Sequence, residues 1–429
     1  MQKLIIANFG PVSDCTIEIK DLMVFTGPQA SGKSTVAKSI FYFNHLKDVL
    51  FEMVRKSMER PALFETESLK DRFARIAADV FLQSFGEEED LNGGDLSFTY
   101  DNESTISVVV NSGEQKCIDI VYSDAIVEKI SELEVMSKKS KVKELEGIRK
   151  FIDCDIFACD RDVIYIPAGR SLHTMLTSQI NYLYSVMDDM QKSTLDYCTK
   201  CYIEEIFRIK EFFNQSPVQI VKRTINRVGL GIEEEKVQSA IVLMKKILQG
   251  EYRNINGSEK LFYNQDESVK LNYASSGQQE AVWITNTLFY HMLGQRPTCF
   301  IIEEPETHLF PNAQKLITEF IALVKNGKNC VVLTTHSPYI LGSINNLLYA
   351  NYLSGKVDKD RLSEIIKSDF WLDYSSLGAY FLENGITKDI KDKEFADINH
   401  DVIDGASLDI NNAYERMVEL KFETEGETV

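Results

Sequence analysis

The segment 27–34, GPQASGKS, has the residue types and the spacing of a loop that binds phosphate groups. Gly27 and Gly32 enclose four residues and are followed directly by Lys33 and Ser34. Glycine allows the backbone to wrap closely around an anion, so that its N–H groups point inward at the oxygens. The Lys33 ammonium can reach the outer phosphates, and the Ser34 hydroxyl can ligate Mg²⁺. We therefore expect phosphate contacts from Gly27, Gln29, Ala30, Ser31, Gly32, Lys33, Ser34 and Thr35.

A pair of carboxylates follows an apolar segment at 300–306, FIIEEPE. Glu303, at the end of the expected strand, can reach the water shell of Mg²⁺. Glu304 can orient or deprotonate an attacking water. On its own, this pattern is more typical of a solvated acidic loop after a strand. Beside a phosphate-binding loop, it predicts the metal-binding and base groups of a hydrolytic site.

A short polar segment at 275–279, SSGQQ, indicates the start of a helix. Ser276 is expected to cap this helix through its side chain, with Gln279 closing a capping box. Backbone N–H groups at such a helix start bind phosphate well. Simple capping is the plain alternative, but we include Ser276, Gly277 and Gln278 among the phosphate-binding candidates.

A histidine directly follows the last apolar run of this region. His336 comes after the buried-strand pattern at 329–334 and can donate a hydrogen bond to a terminal phosphate. A lone histidine is more often structural than functional. Because His336 lies one strand after the paired carboxylates, a role at the same site is favoured here.

These residues require a sheet to position them. The segment 22–26, LMVFT, is apolar throughout and is expected to be buried on both faces. Helices are expected from near Lys33, over most of 36–90, 124–152 and 172–250, and from Pro311 to Gly327. Alternating or short apolar runs predict strands at 3–9, 16–20, 22–26, 96–100, 105–110, 117–122, 163–167, 269–273, 298–302 and 329–334, and near Phe262.

Composition narrows the class of protein. The chain has 429 residues, 44% hydrophobic and 26% charged, which is the balance of an ordinary globular protein. A net charge of −18 argues against a surface that coats nucleic acid through bulk charge. Basic clusters at 138–143 and 222–227 leave a local basic groove for nucleic acid as an alternative, although such clusters are more often solvated helix faces. Without a signal-peptide pattern or a membrane-length apolar run, we expect a cytoplasmic protein that does not enter a membrane.

The eight cysteines are scattered, and in a cytoplasmic protein most are expected to be reduced core thiols. Cys198 and Cys201 have metal-ligand spacing, and Cys154 and Cys159 could supply two more ligands. Neither pair has the glycine- or proline-containing turn of a zinc knuckle. The sequence favours reduced thiols and leaves a zinc site as the lesser alternative.

Taken in the order in which they occur along the chain, the four segments resemble the motif set of ABC ATPases. Walker A is at 27–34, the signature at 275–279, Walker B with its glutamate at 300–304, and the switch histidine is His336.

Within that superfamily, the chain resembles the RecF/SMC/OLD branch of DNA-repair and antiphage ATPases. The segment 7–10, ANFG, is similar to the N-terminal strand of this branch. The segment 304–311, EPETHLFP, is similar to the Glu-Pro-Glu-x-His-Leu-x-Pro stretch of OLD-type ATPases. The segment 335–338, THSP, is also typical of them.

The resemblance implies an α/β fold, an ABC-type phosphate-loop ATPase head with a mixed sheet, an antiparallel β lobe and helical insertions. It implies ATP and Mg²⁺ as cofactors. The expected domains are lobe I at 1–125 with a helical insertion at about 36–90, a mainly helical subdomain at 126–250, lobe II at 251–355, and a mixed helical extension at 356–429.

The resemblance also implies residue roles. Lys33 and Ser34 would hold phosphate and Mg²⁺, Glu303 stands at the Walker B aspartate position, and Glu304 is the catalytic carboxylate. His336 would sense the terminal phosphate.

The signature residues are implied to act on a neighbouring subunit. Ser276 and Gly277 would complete the site of an opposing protomer, so that a homodimer or a larger homo-oligomer closes around ATP. Phe9 is expected near the adenine.

Three departures from the motif set stand out. Glu303 is one methylene longer than aspartate. The signature SSGQQ lacks the second glycine of the family pattern. No glutamine marks a Q-loop, and the segment 166–170, which lies about where one belongs, offers Arg170 instead.

The resemblance points to an ATPase without its own nuclease. Full OLD proteins carry a TOPRIM nuclease domain, which needs a strand-end glutamate and an Asp-x-Asp pair. After His336 no such pair follows an apolar strand, so we expect no nuclease activity in this chain. Many stand-alone ATPases of this branch are subunits of antiphage systems, such as Septu and PARIS, and work with a separate nuclease or toxin.

Other functions remain as alternatives to an ATPase that controls an effector. The acidic composition favours a protein partner. A RecF-like ATPase of recombination and repair would need a basic stripe for DNA across the closed dimer. The long insertion between Lys33 and Ser276 disfavours a transporter subunit. A small-molecule kinase would need neither Ser276 nor His336.

Overall fold

The computed structural model describes residues 2–59, 67–87, 91–111, 117–139, 144–170, 195–229, 233–399 and 411–418. Its strands are β1 (Lys3–Phe9), β2 (Val12–Glu18), β3 (Leu22–Thr26), β4 (Gly94–Thr99), β5 (Thr105–Asn111), β6 (Cys117–Tyr122), β7 (Asp162–Ile166), β8 (Glu251–Ile255), β9 (Ser258–Phe262), β10 (Ser268–Lys270), β11 (Thr298–Glu303), β12 (Cys330–Thr334), β13 (Leu377–Glu383), β14 (Ile386–Asp389), β15 (Lys391–Asp392) and β16 (Asp397–Ile398). Its helices are α1 (Lys33–Glu59), α2 (Leu69–Phe85), α3 (Asp124–Lys139), α4 (Leu145–Lys150), α5 (Tyr197–Ile209), α6 (Pro217–Val228), α7 (Glu234–Leu248), α8 (Ser276–Leu293), α9 (Pro311–Lys325), α10 (Pro338–Leu353) and α11 (Lys359–Ile365).

Eleven strands form one sheet in the order β6-β5-β4-β1-β2-β14-β13-β3-β12-β11-β7. The neighbours from β13 to β7 pair in parallel. Every residue of β3, β11 and β12 is buried, as expected for parallel strands that are covered on both faces. Since the carboxyl ends of these strands meet at one edge, the loops after β3, β11 and β12 lie together there.

The strands β6, β5, β4, β1 and β2 form an antiparallel lobe of the same sheet. Burial alternates along β5, so one face of the lobe packs on the core and the other is more open. The mixed sheet, its antiparallel lobe and the surrounding helices confirm the predicted fold class.

Two hydrophobic cores lie on opposite faces of the central strands. Leu22 and Val24 of β3 point into the core formed with α5 to α10. Met23 and Phe25 point into the core formed with α1 to α4. Burial of each large apolar side chain contributes roughly 1.5–3 kcal/mol. The strand that leads into the phosphate loop is therefore fixed from both sides.

The C-terminal region differs from the mixed helical extension expected at 356–429. β13 pairs in parallel with β3, and β14 reaches β2 through the pair Ile386 and Asp14. The Gly385 carbonyl accepts hydrogen bonds from the N–H groups of Ser13 and Asp14 at 2.8 and 3.0 Å. This region therefore joins the antiparallel lobe to the parallel strands. The sequence does not indicate this arrangement, because the short strand β14 lies among acidic and turn-forming residues at 383–392, and no local pattern shows that β13 pairs with β3.

Smaller differences concern the segments next to the signature. β8 was not predicted, and residues 271–273 form a short 3-10 turn instead of continuing a strand. The predicted helix over 172–250 is interrupted, with α5, α6 and α7 as its described parts. Its stretch 171–194 lies outside the described residues.

Six of the eight cysteines are free thiols, in line with the expectation for most of them. Cys299 and Cys330 are the exception: they are register partners on β11 and β12, with Cα atoms 4.5 Å apart, and are joined as a disulfide. Burial raises the pKa of the Cys15 thiol to about 11. In the described part of the chain, which includes Cys154, Cys159, Cys198 and Cys201, no three His, Cys, Asp or Glu side chains group closely enough to hold a metal ion.

Candidate nucleotide-binding site

The predicted phosphate loop connects the carboxyl end of β3 to the first turn of α1. Gly27 and Gly32 have φ angles of 140° and 100°, a region that other residues rarely adopt. A side chain at Gly27 would overlap the Leu382 carbonyl, and one at Gly32 would come within 2.5 Å of Val12 Cγ2. Both glycines are required by the backbone and by close packing, while residues 28–30 stay exposed.

The Lys33 side chain folds over this loop. Its ammonium donates to the carbonyls of Gly27 and Pro28 at 2.9 and 2.6 Å. Burial lowers the pKa of Lys33, and the charges of Glu304 and Glu306 oppose that shift. Lys33 therefore faces the inside of the loop and the carboxylates after β11, not the hydrophobic core.

Two oxygen-bearing side chains suit a Mg²⁺ ion. Glu303 is 6% exposed, and its Oε2 accepts a hydrogen bond from the Ala168 N–H at 3.2 Å. Among the described residues, its Oε1 is buried without a hydrogen-bond partner, next to Tyr165, whose pKa is raised by burial and then by the Glu303 charge. Ser34 is exposed at the start of α1. Mg²⁺ prefers oxygen ligands, so this donor set fits it.

Glu304 adopts a left-handed backbone conformation, with φ of 42°. Such a conformation costs a non-glycine residue about 1–3 kcal/mol and persists only where neighbours hold it. The Glu304 N–H donates to the Thr334 carbonyl at 2.9 Å. The side chain is 38% exposed, with Oε1 3.6 Å from His336 Nε2. The bend thus turns the carboxylate out of the sheet toward the histidine.

Glu306 holds the loop that carries the histidine. Its Oε1 accepts from the Thr335 hydroxyl at 2.8 Å and from the His336 N–H at 2.7 Å. Burial raises the pKa of Glu306 by more than these hydrogen bonds lower it. The sequence motif contains Glu306 but does not indicate this role, because nothing in the spacing shows that its side chain reaches across to the next strand.

The signature helix starts one residue earlier than predicted. Ser275, not Ser276, is the capping residue, and its hydroxyl accepts from the Gln278 N–H at 3.3 Å. The Gln278 side chain closes the box by accepting from the Ser275 N–H at 3.0 Å. Gln279 is 1% exposed and donates to the carbonyls of Leu271 and Ala274. Double serine and double glutamine made both registers compatible with the sequence.

Gly277 lies where the tip of α8 meets the segment after the carboxylates. A Cβ atom at this position would be 2.7 Å from the His308 carbonyl oxygen. Ser276, Gly277 and Gln278 line a surface groove of about 510 Å³ with residues of 308–316, and no residue of 27–35 lines it. Within one described chain, the signature is therefore turned toward this groove.

The described contacts converge on one edge of the sheet for Lys33, Glu304, Glu306 and His336. Phe9 does not belong to this group. It is 2% exposed, and its ring packs against Phe81 and Phe85 at centroid distances of 5.4 and 5.2 Å. Its faces are occupied by the core, so the expectation that it lies near adenine is wrong.

A strand, a glycine loop and a helix, with carboxylates at the end of β11, which is separated from β3 only by β12, define the class of phosphate-loop ATPases. The family model of the AAA ATPase domain matches residues 1–156 and 161–341, and the chain belongs to this family. No curated protein matches the sequence. Across the described ranges, no helix combines the length and the apolar character needed to cross a membrane.

Solved structures with similar folds include heads of SMC proteins. An Smc head bound to the C-terminal winged-helix domain of ScpA has 10% identity and a TM-score of 0.41, with 90% of this chain and 96% of that one covered. The SMC head domain from Thermotoga maritima has 11% identity and a TM-score of 0.36, with coverage of 90% and 97%. An Smc head with an extended coiled coil, bound to the C-terminal domain of ScpA from Pyrococcus furiosus, has 11% identity and a TM-score of 0.39, with coverage of 91% and 96%.

Proposed function

We propose that this ATPase binds Mg-ATP on the loop 27–35 and hydrolyses it with Glu304 as the general base. The observation that carries this proposal is the convergence of Lys33, Glu304 and His336 at one edge of the sheet. The Lys33 ammonium already lies inside the loop, held by its carbonyls. A terminal phosphate bound there would have the ammonium on one side and a half-exposed carboxylate on the other.

The remaining residues have separate tasks in this proposal. Bound Mg²⁺ would be held by Ser34 and Glu303 and would neutralise charge on the phosphates. Glu304 orients the attacking water and accepts its proton. His336, 3.6 Å from that carboxylate, donates to the terminal phosphate, and Glu306 holds the His336 backbone in place.

We further propose that two copies of the chain close around ATP. The exposed tip of α8, at Ser276 and Gly277, would contact the phosphates held by the loop of the opposing copy. Two strongly exposed aromatic residues flank this tip, Tyr273 at 75% and Phe310 at 73%. Burial of such side chains favours association. A homodimer is the minimum, and a larger homo-oligomer is compatible with the same contacts.

The biological setting we propose is antiphage defence, with ATP binding and hydrolysis controlling a separate protein effector, a nuclease or a toxin. The OLD-like stretch at 304–311 and the net charge of −18 support a protein partner over nucleic acid. The RecF-like alternative, a DNA-binding ATPase of repair, predicts tight and salt-sensitive binding to duplex DNA. A cytoplasmic location follows from the same proposal.

Steady-state hydrolysis by the purified chain tests the catalytic part. We expect Mg-dependent release of phosphate from ATP, loss of nucleotide binding in K33A, and nucleotide binding without turnover in E304Q. Fluorescence anisotropy with labelled duplex DNA at low and physiological salt tests the alternative in the same preparations. Turnover that persists in E304Q would remove Glu304 as the base.

A further inference from the structure

Arg170 is a buried cation at the centre of the catalytic edge, and no motif of the family predicted its contacts. The side chain is 0% exposed. One terminal nitrogen donates to the Pro167 and Glu303 carbonyls at 2.6 and 2.7 Å. The other donates to the Glu304 carbonyl at 3.0 Å. The planar guanidinium thus ties three carbonyls of two separate loops.

Two of those carbonyls belong to the carboxylate pair itself. Glu304 is held in its left-handed conformation by Thr334 on one side, through the Glu304 N–H, and by Arg170 on the other, through the Glu304 carbonyl. The orientation of the peptide after Glu303 sets the direction of the Glu304 side chain. Arg170 therefore acts on the direction of the catalytic carboxylate without touching the reacting atoms.

The same arginine is anchored to the signature helix. Glu280 is 1% exposed, and its Oε2 lies 3.2 Å from Arg170 Nε and accepts from the Arg170 N–H at 3.1 Å. The Glu280 carbonyl also accepts from Arg170 Nε at 3.3 Å. Glu280 comes one helical turn after Ser276, so the tip of α8 and the ion pair move as one rigid segment.

We propose that Arg170 and Glu280 form a positioning pair that couples the seating of the α8 tip to the orientation of Glu304. The inference rests on the proposed function, in which that tip contacts the nucleotide of the opposing copy. The α8 tip of one chain then contacts the nucleotide bound to the opposing copy, whereas Glu304 of that same chain acts on the nucleotide bound to its own loop. The pair transmits the closure of one site to the catalytic carboxylate of its neighbour.

The physical basis is the cost of separating buried charges. An ion pair without water around it cannot stretch gradually, because removing either partner leaves an uncompensated buried charge. A shift of α8 must therefore move Arg170, and with it the carbonyls of Glu303 and Glu304. Even a small displacement of the Glu304 carboxylate matters, since misplacing a catalytic group by about 1 Å can lower turnover on the order of 100-fold.

The test compares R170K, E280Q and the double variant with wild type. Lysine keeps the charge but cannot reach several carbonyls at once, and glutamine keeps an acceptor for the Arg170 N–H but loses the charge. R149K is the matched control, because Arg149 also makes partly buried ion pairs, with Asp48 and Asp153, at a different place in the chain. Melting temperature, affinity for a fluorescent ATP analogue and kcat are measured for each.

We expect kcat of R170K to fall at least about tenfold while nucleotide affinity stays within about threefold, and R149K to keep the wild-type kcat. The double variant should lose no more than R170K alone, since the two residues act as a unit. Unchanged kcat in R170K, a parallel loss of affinity and kcat, or additive effects in the double variant would overturn the pair. A wild-type chain that binds no ATP would instead remove the proposed function.

Discussion

Replacement of Glu306 separates the support of the histidine loop from the chemistry itself. The Glu306 Oε1 accepts from Thr335 and from the His336 N–H at 2.8 and 2.7 Å, and nothing in the proposed reaction passes through it. E306A removes both hydrogen bonds. E306Q keeps an oxygen that can accept both, and places its amide where the buried Oε2 lies without a hydrogen-bond partner among the described residues.

The magnitude follows from these contacts. Hydrogen bonds to a charged acceptor contribute about 1.5–3 kcal/mol each to stability. The burial that raises the pKa of Glu306 offsets part of this gain, because the buried charge is itself unfavourable. We therefore expect E306A to lower the free energy of unfolding by about 1–3 kcal/mol and E306Q by roughly 1 kcal/mol or less. With the His336 loop released, kcat of E306A should fall about 10- to 100-fold.

Urea unfolding and steady-state ATP hydrolysis measure the two effects on the same preparations. E306Q should retain kcat within about fivefold of wild type, because its oxygen still positions His336. Equal losses of kcat in E306A and E306Q would show that the charge of Glu306, not its position as an acceptor, matters. A wild-type kcat in E306A would refute the role of this contact.

Two further substitutions test the signature tip and a buried charge. G277A places a methyl group 2.7 Å from the His308 carbonyl oxygen, so we expect ATP binding to persist and kcat to fall at least about tenfold. The control variant G342A, whose methyl group would lie in open space on α10, should keep the wild-type kcat. Equal activity of the two variants would contradict this prediction. Burial lowers the pKa of His45, but its hydrogen bonds to Asp48 and Cys201 outweigh burial and raise it from 6.5 to about 10. The stability that His45 contributes is therefore full below pH 6.5 and is lost as pH rises through 10. H45Q should consequently flatten the decline in unfolding free energy over this pH range. Parallel plots of unfolding free energy against pH for H45Q and wild type would speak against this role.

Much of the fold could be predicted because local pattern and tertiary structure agree. Burial requires the apolar run 22–26, and the backbone conformation requires glycine at 27 and 32. The phosphate loop can therefore be predicted from its local sequence, without knowledge of its tertiary contacts. The register of the capping box was not, because Ser275 and Ser276 are chemically equal caps, and Gln278 and Gln279 equal partners. The hydrogen bonds from the buried Gln279 side chain to the carbonyls of Leu271 and Ala274 decide between them.

The sequence pattern could not predict the contacts of residues that reach across the sheet. Arg170 contacts groups more than 100 positions away, and Glu306 reaches His336 across a strand pair. Such contacts depend on which strands become neighbours, and strand order has no local signature. The same reason hid β13, whose place beside β3 is set by tertiary packing.

Nucleotide-dependent association of E304Q tests the central claim most directly. In light scattering after gel filtration, we predict that E304Q changes from monomer to dimer when Mg-ATP is added. E304Q carrying S276R should bind ATP equally well and stay monomeric, while E304Q carrying S131R, at an exposed serine of α3, should dimerise. An E304Q variant that binds ATP without any change of mass, or one that dimerises regardless of S276R, would contradict a phosphate held between Lys33 of one copy and the α8 tip of another.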